Sequence, residues 1–263
     1  MSGASIVSQE LASLRVLVRR DLIRFGRERS RLLGAVLQPL IFWLVIGSGM
    51  AATFRLPGQE QLGYLEYFFP GVLVMVVLFS AIFTTMSVIE DRHSGFLQMV
   101  LVAPGSRASI VLGKCFGSAS VALAQAGMFL LLAPLAGFPI AQIAWLPLLA
   151  GIVLSCLALC SIGFAVAWWL DSTAGYHVVM SLLLLPLWII SGAMFPMNSG
   201  WLGIAAALNP MSYAVTAVRR GLYGSQLPAA LAQGHTPGVE LAVLAAFTLV
   251  AGAIAITVCQ RRR

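Results

Sequence analysis

The feature that most constrains this fold is a series of six apolar runs, each long enough to cross a bilayer as a helix. A helix needs about 20 apolar residues to span the hydrocarbon core. The runs cover residues 32–54, 67–89, 109–133, 146–170, 174–195 and 239–259. Only 10% of the residues are charged, whereas a water-soluble domain has about a quarter of its residues charged. The spans also occupy most of the chain, so no water-soluble domain of useful size is expected. We therefore predict an all-α integral membrane protein with six spans.

The cations predict how these spans are oriented. If the N-terminus is cytoplasmic, thirteen Lys and Arg residues lie inside, and only Arg55, Arg219 and Arg220 lie outside. An excess of cations in cytoplasmic segments is the usual bias of multi-pass proteins. Both termini are then cytoplasmic. The net charge of +7 is interpreted as contact with lipid headgroups and not with nucleic acid.

The chain before the first span, residues 1–31, is predicted to form a cytoplasmic amphipathic helix connected to a membrane domain at 32–263. Its apolar residues recur at steps of three and four, and arginines occupy the other side. The apolar set is Leu11, Leu14, Val18, Leu22 and Phe25. This pattern is typical of a helix that lies in the headgroup plane. A solvated charged tail is the alternative.

The segment 197–237, which precedes the last span, is predicted to dip into the outer side of the membrane and return. It is too apolar for an ordinary loop, yet Asn209 and Pro210 interrupt it, which predicts two helices too short to span. Backbone at that depth must satisfy its hydrogen bonds internally, as short re-entrant helices do. Arg219 and Arg220 are expected to extend to the outer headgroups.

Several classes of membrane protein are disfavoured by what the spans lack. No Asp, Glu, Lys, Arg or His occurs from Cys115 through Leu170, whereas ion-coupled transporters place such groups at mid-membrane. Cys156 and Cys160 share a helix face, but no carboxylate or imidazole lies near them in the sequence. They are interpreted as small buried residues and not as metal ligands.

His177 is the one histidine of the fifth span, and it lies near the end that is predicted to be cytoplasmic. It is interpreted as a polar residue at the level of the lipid headgroups.

A membrane-embedded enzyme acting on lipids is a further alternative. It would require Asp171, His177 and Glu240 to converge. The predicted topology places Glu240 on the opposite face of the membrane from the other two, which argues against this class. The chain also lacks a phosphate-binding GxxxxGK[ST] loop, so any ATP must bind another chain. No cofactor is therefore predicted in this chain.

The cytoplasmic segment 90–107 combines charges with an apolar face. Its charges can pair with a partner or with the N-terminal helix, and they are Glu90, Asp91, Arg92 and His93. Its apolar face, which suits a groove on another protein, consists of Phe96, Leu97, Val100 and Leu101. Gly95 relaxes the chain before this short helix, and Pro104 ends it. An ordinary solvated loop is the alternative, but it would leave the apolar face exposed.

Two sets of residues resemble the family of ABC-2 type permeases, the membrane subunits of ATP-binding cassette (ABC) transporters. The first set matches that family's cytoplasmic segment and consists of Glu90-Asp91, Gly95, Leu97, Leu101, Pro104, Ser106-Arg107 and Gly113-Lys114. The second set matches the SGxxFP and LNPxxY elements before the last span and consists of Ser191-Gly192, Phe195-Pro196, Leu208-Asn209-Pro210 and Tyr213. Together with six spans and an N-terminal amphipathic helix, the similarity covers almost the entire chain.

The resemblance implies how such a chain works. Segment 90–107 would form a coupling helix that docks on an ATP-hydrolysing subunit, and that subunit would bind ATP and Mg. Two permease copies, identical or paralogous, would pair around a central path with one ATPase beneath each. The re-entrant region around Asn209, Pro210 and Tyr213 would form the outer gate. The second and fifth spans would line the path, with candidate residues Phe79, Phe83, Met86, Met180, Leu184 and Trp188; packing against neighbouring helices or lipid is the alternative for each.

We therefore expect the permease subunit of an exporter in a bacterial cytoplasmic membrane. Spans without charges favour an amphipathic or hydrophobic cargo, such as a drug, a lipid or a lipid-linked glycan, and hydrocarbon walls disfavour a bare ion. The alternative is a membrane subunit that anchors or regulates a complex without moving cargo. Copurification separates the two, because a transport subunit should bring down an ATPase whose turnover responds to cargo.

Overall fold

The computed structural model describes residues 15–16, 18–27, 29–54, 62–97, 99, 106–197, 200–234 and 236–261. Within these ranges the regular elements are helices, and strands are absent. The α-helices in chain order are α1 (18–27), α2 (Arg29–Met50), α3 (Tyr64–Thr85), α4 (Ser87–His93), α5 (Arg107–Leu130), α6 (Trp145–Trp169), α7 (Thr173–Ile190), α8 (Gly200–Leu208), α9 (Pro210–Tyr223) and α10 (Val239–Arg261). Short 3-10 helices lie between α5 and α6 and between α9 and α10.

Five of the described helices are long and apolar enough to cross a membrane, namely α3 continued by α4, α5, α6, α7 and α10. The first predicted span corresponds to α2, whose apolar part covers only Leu37–Met50. Helices α8 and α9 pass the same test together but are bent by 84°, the geometry of a broken span or a re-entrant loop. The all-α membrane fold predicted from the sequence is therefore confirmed, with five to six candidate spans.

Helix α6 lies at the centre of the bundle, where it contacts α3, α5, α9 and α10. Most of α3 is buried as well, whereas α7 and α10 leave most of their surface exposed. In a membrane, an apolar helix can face protein on one side and lipid on the other. The exposed sides of α7 and α10 are therefore available to lipid or to another membrane subunit.

Small residues bring the re-entrant helix α9 close to α6. A Cβ atom at Gly151 of α6 would lie 2.8 Å from the Cβ of Ala217 in α9, and one at Gly221 would overlap the side chain and backbone of Leu148. The carbonyl of Gly221 also accepts a hydrogen bond from the backbone N–H of Ala144 at 2.8 Å. Close approach through small residues is a common way for membrane helices to pack.

A second close approach joins the end of α3 and the start of α7 across α6. The hydroxyl groups of Thr85 and Tyr176 are hydrogen-bonded to each other at 2.6 Å, and both lie against Gly163 of α6. Any side chain at Gly163 would overlap the Thr85 hydroxyl. This glycine therefore allows a buried polar contact between two helices that flank α6.

The bundle has two ends. At the α4 end, α1 and α4 contact α5, and α4 contacts the last turn of α6. The start of α5 meets the last turns of α10 there, where Arg107 Nη1 donates to the Cys259 carbonyl at 3.0 Å. At the opposite end, the α8 end, lie α8, α9 and the segments 191–197 and 224–234. The predicted topology assigns the α4 end to the cytoplasm and the α8 end to the outside.

Candidate functional site

Helix α4 continues the membrane helix α3. The two are separated only by Met86, which keeps helical backbone angles, and together they form one run of 30 residues. Gly95 follows α4 with a φ of +74°, a conformation that favours glycine because it lacks a side chain. Because α3 and α4 are continuous, a displacement of α4 along its axis is passed directly into α3.

A buried cluster of charges ties α4 to α1 and α5. The carboxylate of Asp91 accepts hydrogen bonds from Lys114 Nζ and, at 2.8 Å, from Arg20 Nη2. Arg20 also donates to Asp21 Oδ1 at 2.9 Å, and Lys114 Nζ lies 4.0 Å from the same oxygen. Lys114 is only 1% exposed. Charges can be buried at such a depth only when they are paired, so the cluster holds three helices in one arrangement.

The same cluster is supported by its neighbours. The guanidinium of Arg20 lies 4.4 Å from the centre of the Phe96 ring. Gly117 of α5 lies against Asp21, since a Cβ there would be 2.6 Å from Asp21 Oδ2. Burial alone would lower the pKa of Arg20, but the hydrogen bond to Asp91 and the charge of Asp21 raise this pKa above its ordinary value. Arg20 therefore stays charged in the cluster.

Glu90 makes a second, more exposed contact with α1. Its Oε2 accepts a hydrogen bond from Arg24 Nη2 at 3.0 Å, and both side chains are partly open to solvent. An exposed ion pair of this kind contributes roughly 1 kcal/mol or less. The predicted pairing of this segment with the N-terminal helix therefore occurs at Glu90 and Asp91, and Asp91 makes the stronger link.

Arg92 ties α4 to a different part of the bundle. Its Nη1 donates to Asp171 Oδ1 at 2.6 Å, and its Nη2 donates to the Trp168 carbonyl at 2.8 Å. The carbonyls at the end of α6 carry partial negative charge, which a guanidinium stabilises. Adjacent residues of α4 therefore point to two sides, one to α1 and α5 and the other to α6 and the start of α7.

The rest of the predicted docking segment is described only in part. Phe96 is half-buried under Arg20, and Leu97 is 2% exposed, so Leu97 packs inside this chain and does not form part of an outward apolar face. Val100, Leu101 and Pro104 lie outside the described residues. A role of the segment in docking an ATPase stays a prediction.

The path-lining candidates of the second span lie along one cavity. Phe79, Phe83 and Met86 line a cavity of about 370 Å³ between α2, α3, α4 and α5. Its polar lining includes Ser80, Gln125 and Glu90. This volume is in the range of sites that bind small ligands.

The candidates of the fifth span are placed elsewhere. Met180, Leu184 and Trp188 are buried inside the chain, and Trp188 Nε1 donates to the Gly71 carbonyl of α3 at 2.8 Å. They share no cavity with Phe79 within the described part of the chain, and they pack against neighbouring helices, which was the alternative for each. Their role in lining a path, which would need a rearrangement or a second subunit, stays a prediction.

The candidate outer gate is built on the turn between α8 and α9. Asn209 Oδ1 accepts a hydrogen bond from the backbone N–H of Met211 at 2.9 Å, which caps α9, and Pro210 is the first residue of that helix. Asn209 Nδ2 donates to the Leu187 carbonyl of α7, and the Tyr213 hydroxyl donates to the Ala207 carbonyl at 2.8 Å. These bonds fix the bend between the two short helices, and their role in gating stays a prediction.

Arg219 corrects one expectation from the sequence. It was expected to extend to the outer headgroups, but it is 1% exposed. Its Nη2 donates to the Gly192 carbonyl at 2.8 Å, and its guanidinium lies 4.6 Å from the centre of the Tyr67 ring. Arg220 instead bonds Glu240 Oε1 at 2.5 Å. The Gly192 carbonyl and the face of the Tyr67 ring therefore take the place of water around the Arg219 guanidinium. No local pattern in the sequence indicates this buried environment.

The residues that a lipid-modifying enzyme would require are not brought together. Asp171 pairs with Arg92 at the α4 end, whereas Glu240 pairs with Arg220 at the α8 end. The ring of His177 lies 5.5 Å from that of Phe83. Lys114 was not predicted to belong to the charge cluster. A single cation at the edge of an apolar run is nevertheless a signal of buried pairing, and it could have identified this residue.

The sequence matches the family described as "ABC-2 type transporter" over residues 12–223. A protein of Cyanophora paradoxa named as a transport permease, ycf38, is 29% identical over 221 residues, which cover 80% of this chain and 73% of the relative. The "Daunorubicin resistance ABC transporter permease protein DrrB1" of Streptomyces coeruleorubidus is 28% identical over 78% of this chain and 73% of the relative. "Nodulation protein J" of Rhizobium leguminosarum bv. trifolii is 27% identical, with 85% and 87% covered.

Proposed function

This chain belongs to the ABC-2 type transporter family as the membrane subunit of an ABC transporter, and from that premise we propose that it forms the export path for an amphipathic or hydrophobic cargo. ATP hydrolysis in two separate ATPase subunits powers the transport, and those subunits bind ATP and Mg. Two permease copies, identical or paralogous, pair in a bacterial cytoplasmic membrane with both termini in the cytoplasm.

The observation that carries this proposal is the way α4 is tied into the bundle. Asp91 links α4 to α1 and α5, and the next residue, Arg92, links it to the end of α6 and to Asp171. Helix α4 also continues α3. A force applied to α4 therefore reaches four membrane helices or their ends at once. A loop that only connects two spans needs no such set of contacts.

The kind of cargo is supported by two further observations. The cavity beside α3 is mainly apolar but includes polar groups, which suits an amphipathic molecule. One similar protein is named for daunorubicin resistance. Daunorubicin is therefore the first compound to test. A lipid and a lipid-linked glycan are also amphipathic, so they belong to the proposed class of cargo as well.

The test is to express the chain together with its candidate ATPase subunit, purify the complex through a tag on the permease, and reconstitute it in vesicles. We expect an ATPase to copurify, its ATP hydrolysis to rise with daunorubicin or another amphipathic compound, and that compound to cross the membrane. An anchoring subunit would copurify with the ATPase, but no compound would change the turnover or be transported. That result would reject the proposal.

A further inference from the structure

The cavity beside α3 has the form of a long slot. Its lining residues on α3 and α4 run from Met75 to Glu90, which corresponds to about 22 Å of helix. Phe79 and Phe83 contribute aromatic side chains to this wall, and α2 contributes Gln38 to the lining. A slot of this length suits an elongated amphipathic molecule better than a compact one.

The polar groups of the slot are few and are placed at different depths. Ser80 is 2% exposed, and its Oγ has no hydrogen-bond partner among the described residues. The amide of Gln125, which is also buried, belongs to the opposing α5 wall. A buried hydroxyl without a partner is unfavourable, so a bound molecule that hydrogen-bonds to Ser80 would gain affinity. The carboxylate of Glu90 marks the α4 end of the slot.

We propose that this slot binds a cationic amphiphile, with its ammonium group at Glu90 and its apolar body between α2 and α3. The inference rests on the proposed function, because it specifies the class of cargo. Among the described lining residues, Glu90 carries the only charge, so it is the side chain of the wall that can pair with an ammonium group once Arg24 is displaced. The two phenylalanine rings add apolar contacts to the body of the molecule.

The ion pair between Glu90 and Arg24 gives this site a link to α1. An ammonium group that binds Glu90 competes with the Arg24 guanidinium, which holds the same carboxylate at 3.0 Å. When the ligand replaces Arg24, one of the two ionic contacts between α4 and α1 is released, and the buried contact through Asp91 remains. Occupancy of the slot therefore changes the contacts of α4, whose last residues begin the segment 90–107 that is predicted to dock on the ATPase.

The test compares the two sides of one ion pair. The full chain is placed in phosphatidylcholine nanodiscs, and binding of dodecyltrimethylammonium is measured by calorimetry against empty nanodiscs. Glu90→Gln should weaken binding about fivefold, the equivalent of an exposed charge contact of about 1 kcal/mol. Arg24→Gln should instead strengthen it, because the competitor is removed. Asp171→Asn, a carboxylate at the same end but outside the slot, is the matched control and should leave binding unchanged.

Both variants break the same ion pair, so a purely structural role for Glu90 would shift binding in the same direction in both. That result would overturn the proposal, and so would equal binding of dodecyl sulfate or dodecanol by the wild-type chain. Ser80→Leu, which fills the slot, should reduce binding of the ammonium probe, and unchanged binding would place the site elsewhere.

These binding measurements need no ATPase, so the proposed slot and the proposed export function can be rejected independently of each other. If amphipathic compounds stimulate ATP hydrolysis in the complex but the opposite shifts of Glu90→Gln and Arg24→Gln are absent, transport stands and the cationic slot is rejected. If the opposite shifts occur but no compound stimulates hydrolysis, the slot is supported as a binding site and the export function is rejected.

Discussion

Neutralising Asp91 should destabilise this protein more than removing Lys114, although the two residues form one ion pair. In Asp91→Asn, Lys114 and Arg20 lose their shared carboxylate and are left with Asp21, whose Oδ1 is 4.0 Å from Lys114 Nζ. Because Lys114 is 1% exposed, its charge cannot be transferred to water. Leaving a buried charge without its partner typically costs about 3–5 kcal/mol.

Lys114→Met has a milder consequence for a specific reason. Asp91 keeps its hydrogen bond from Arg20 at 2.8 Å, and the methionine fills the space of the lysine stem. The loss is then that of one hydrogen bond between charged groups, about 1.5–3 kcal/mol. In the double variant Asp91→Leu with Lys114→Met, Arg20 and Asp21 still pair with each other, so most of the stability should return.

The free energy of unfolding can be measured for each variant by steric trapping in bicelles. Asp171→Asn is the control, because Asp171 also belongs to an ion pair at this end but its side chain is 71% exposed, and it should cost about 1 kcal/mol or less. The reasoning would be refuted if Asp91→Asn behaved like the control, or if Lys114→Met proved the more damaging of the two single variants.

Three further predictions concern other contacts. Gly163→Ala should lower the unfolding free energy by about 1–3 kcal/mol, because the new Cβ overlaps a buried hydroxyl of α3, whereas Gly127→Ala, which meets open space, should be neutral or stabilising. Gly95→Pro should reduce cargo-stimulated ATP hydrolysis with little change in expression, because proline cannot adopt a φ of +74°. Arg220→Ala should lower the yield of folded protein by leaving the buried Glu240 carboxylate unpaired, and adding Glu240→Gln should restore it.

Each of these predictions has an outcome that would count against it. Equal stability of the Gly163 and Gly127 variants would show that α6 can move away from α3 at little cost. Wild-type stimulation in Gly95→Pro, measured at equal ATPase copurification, would remove the need for the turn after α4. A double variant at Arg220 and Glu240 that is no better than the single one would show that the arginine acts through another contact.

The sequence predicted the helical elements well, because the length of an apolar run and the interruptions at Asn209 and Pro210 act locally. It could not predict how each helix is rotated about its axis. A helix that is apolar on all sides has no polar face to show which side is buried. Met180, Leu184 and Trp188 were therefore compatible with a path and also with the interior of the chain. The structure places them in the interior.

The candidate site was predicted in part for a similar reason. The charges of Glu90 and Asp91 and those of the N-terminal helix suggested pairing between the two segments. The third member, Lys114, lies more than twenty residues away along the chain, and only the packing of α5 brings it to Asp91. Arg219 likewise depends on a carbonyl from a distant segment, Gly192, so the local pattern suggested the membrane surface instead.

The central claim is that α4 faces the cytoplasm and passes motion from an ATPase to the membrane helices. His93 is exposed at the end of α4, and the four native cysteines are all buried, so His93→Cys adds an accessible thiol on a low background. A membrane-impermeant maleimide should not label this variant in intact cells. It should label the variant in inverted vesicles, and bound ATPase should reduce that labelling. Labelling from outside intact cells, or labelling in inverted vesicles that bound ATPase leaves unchanged, would contradict the claim.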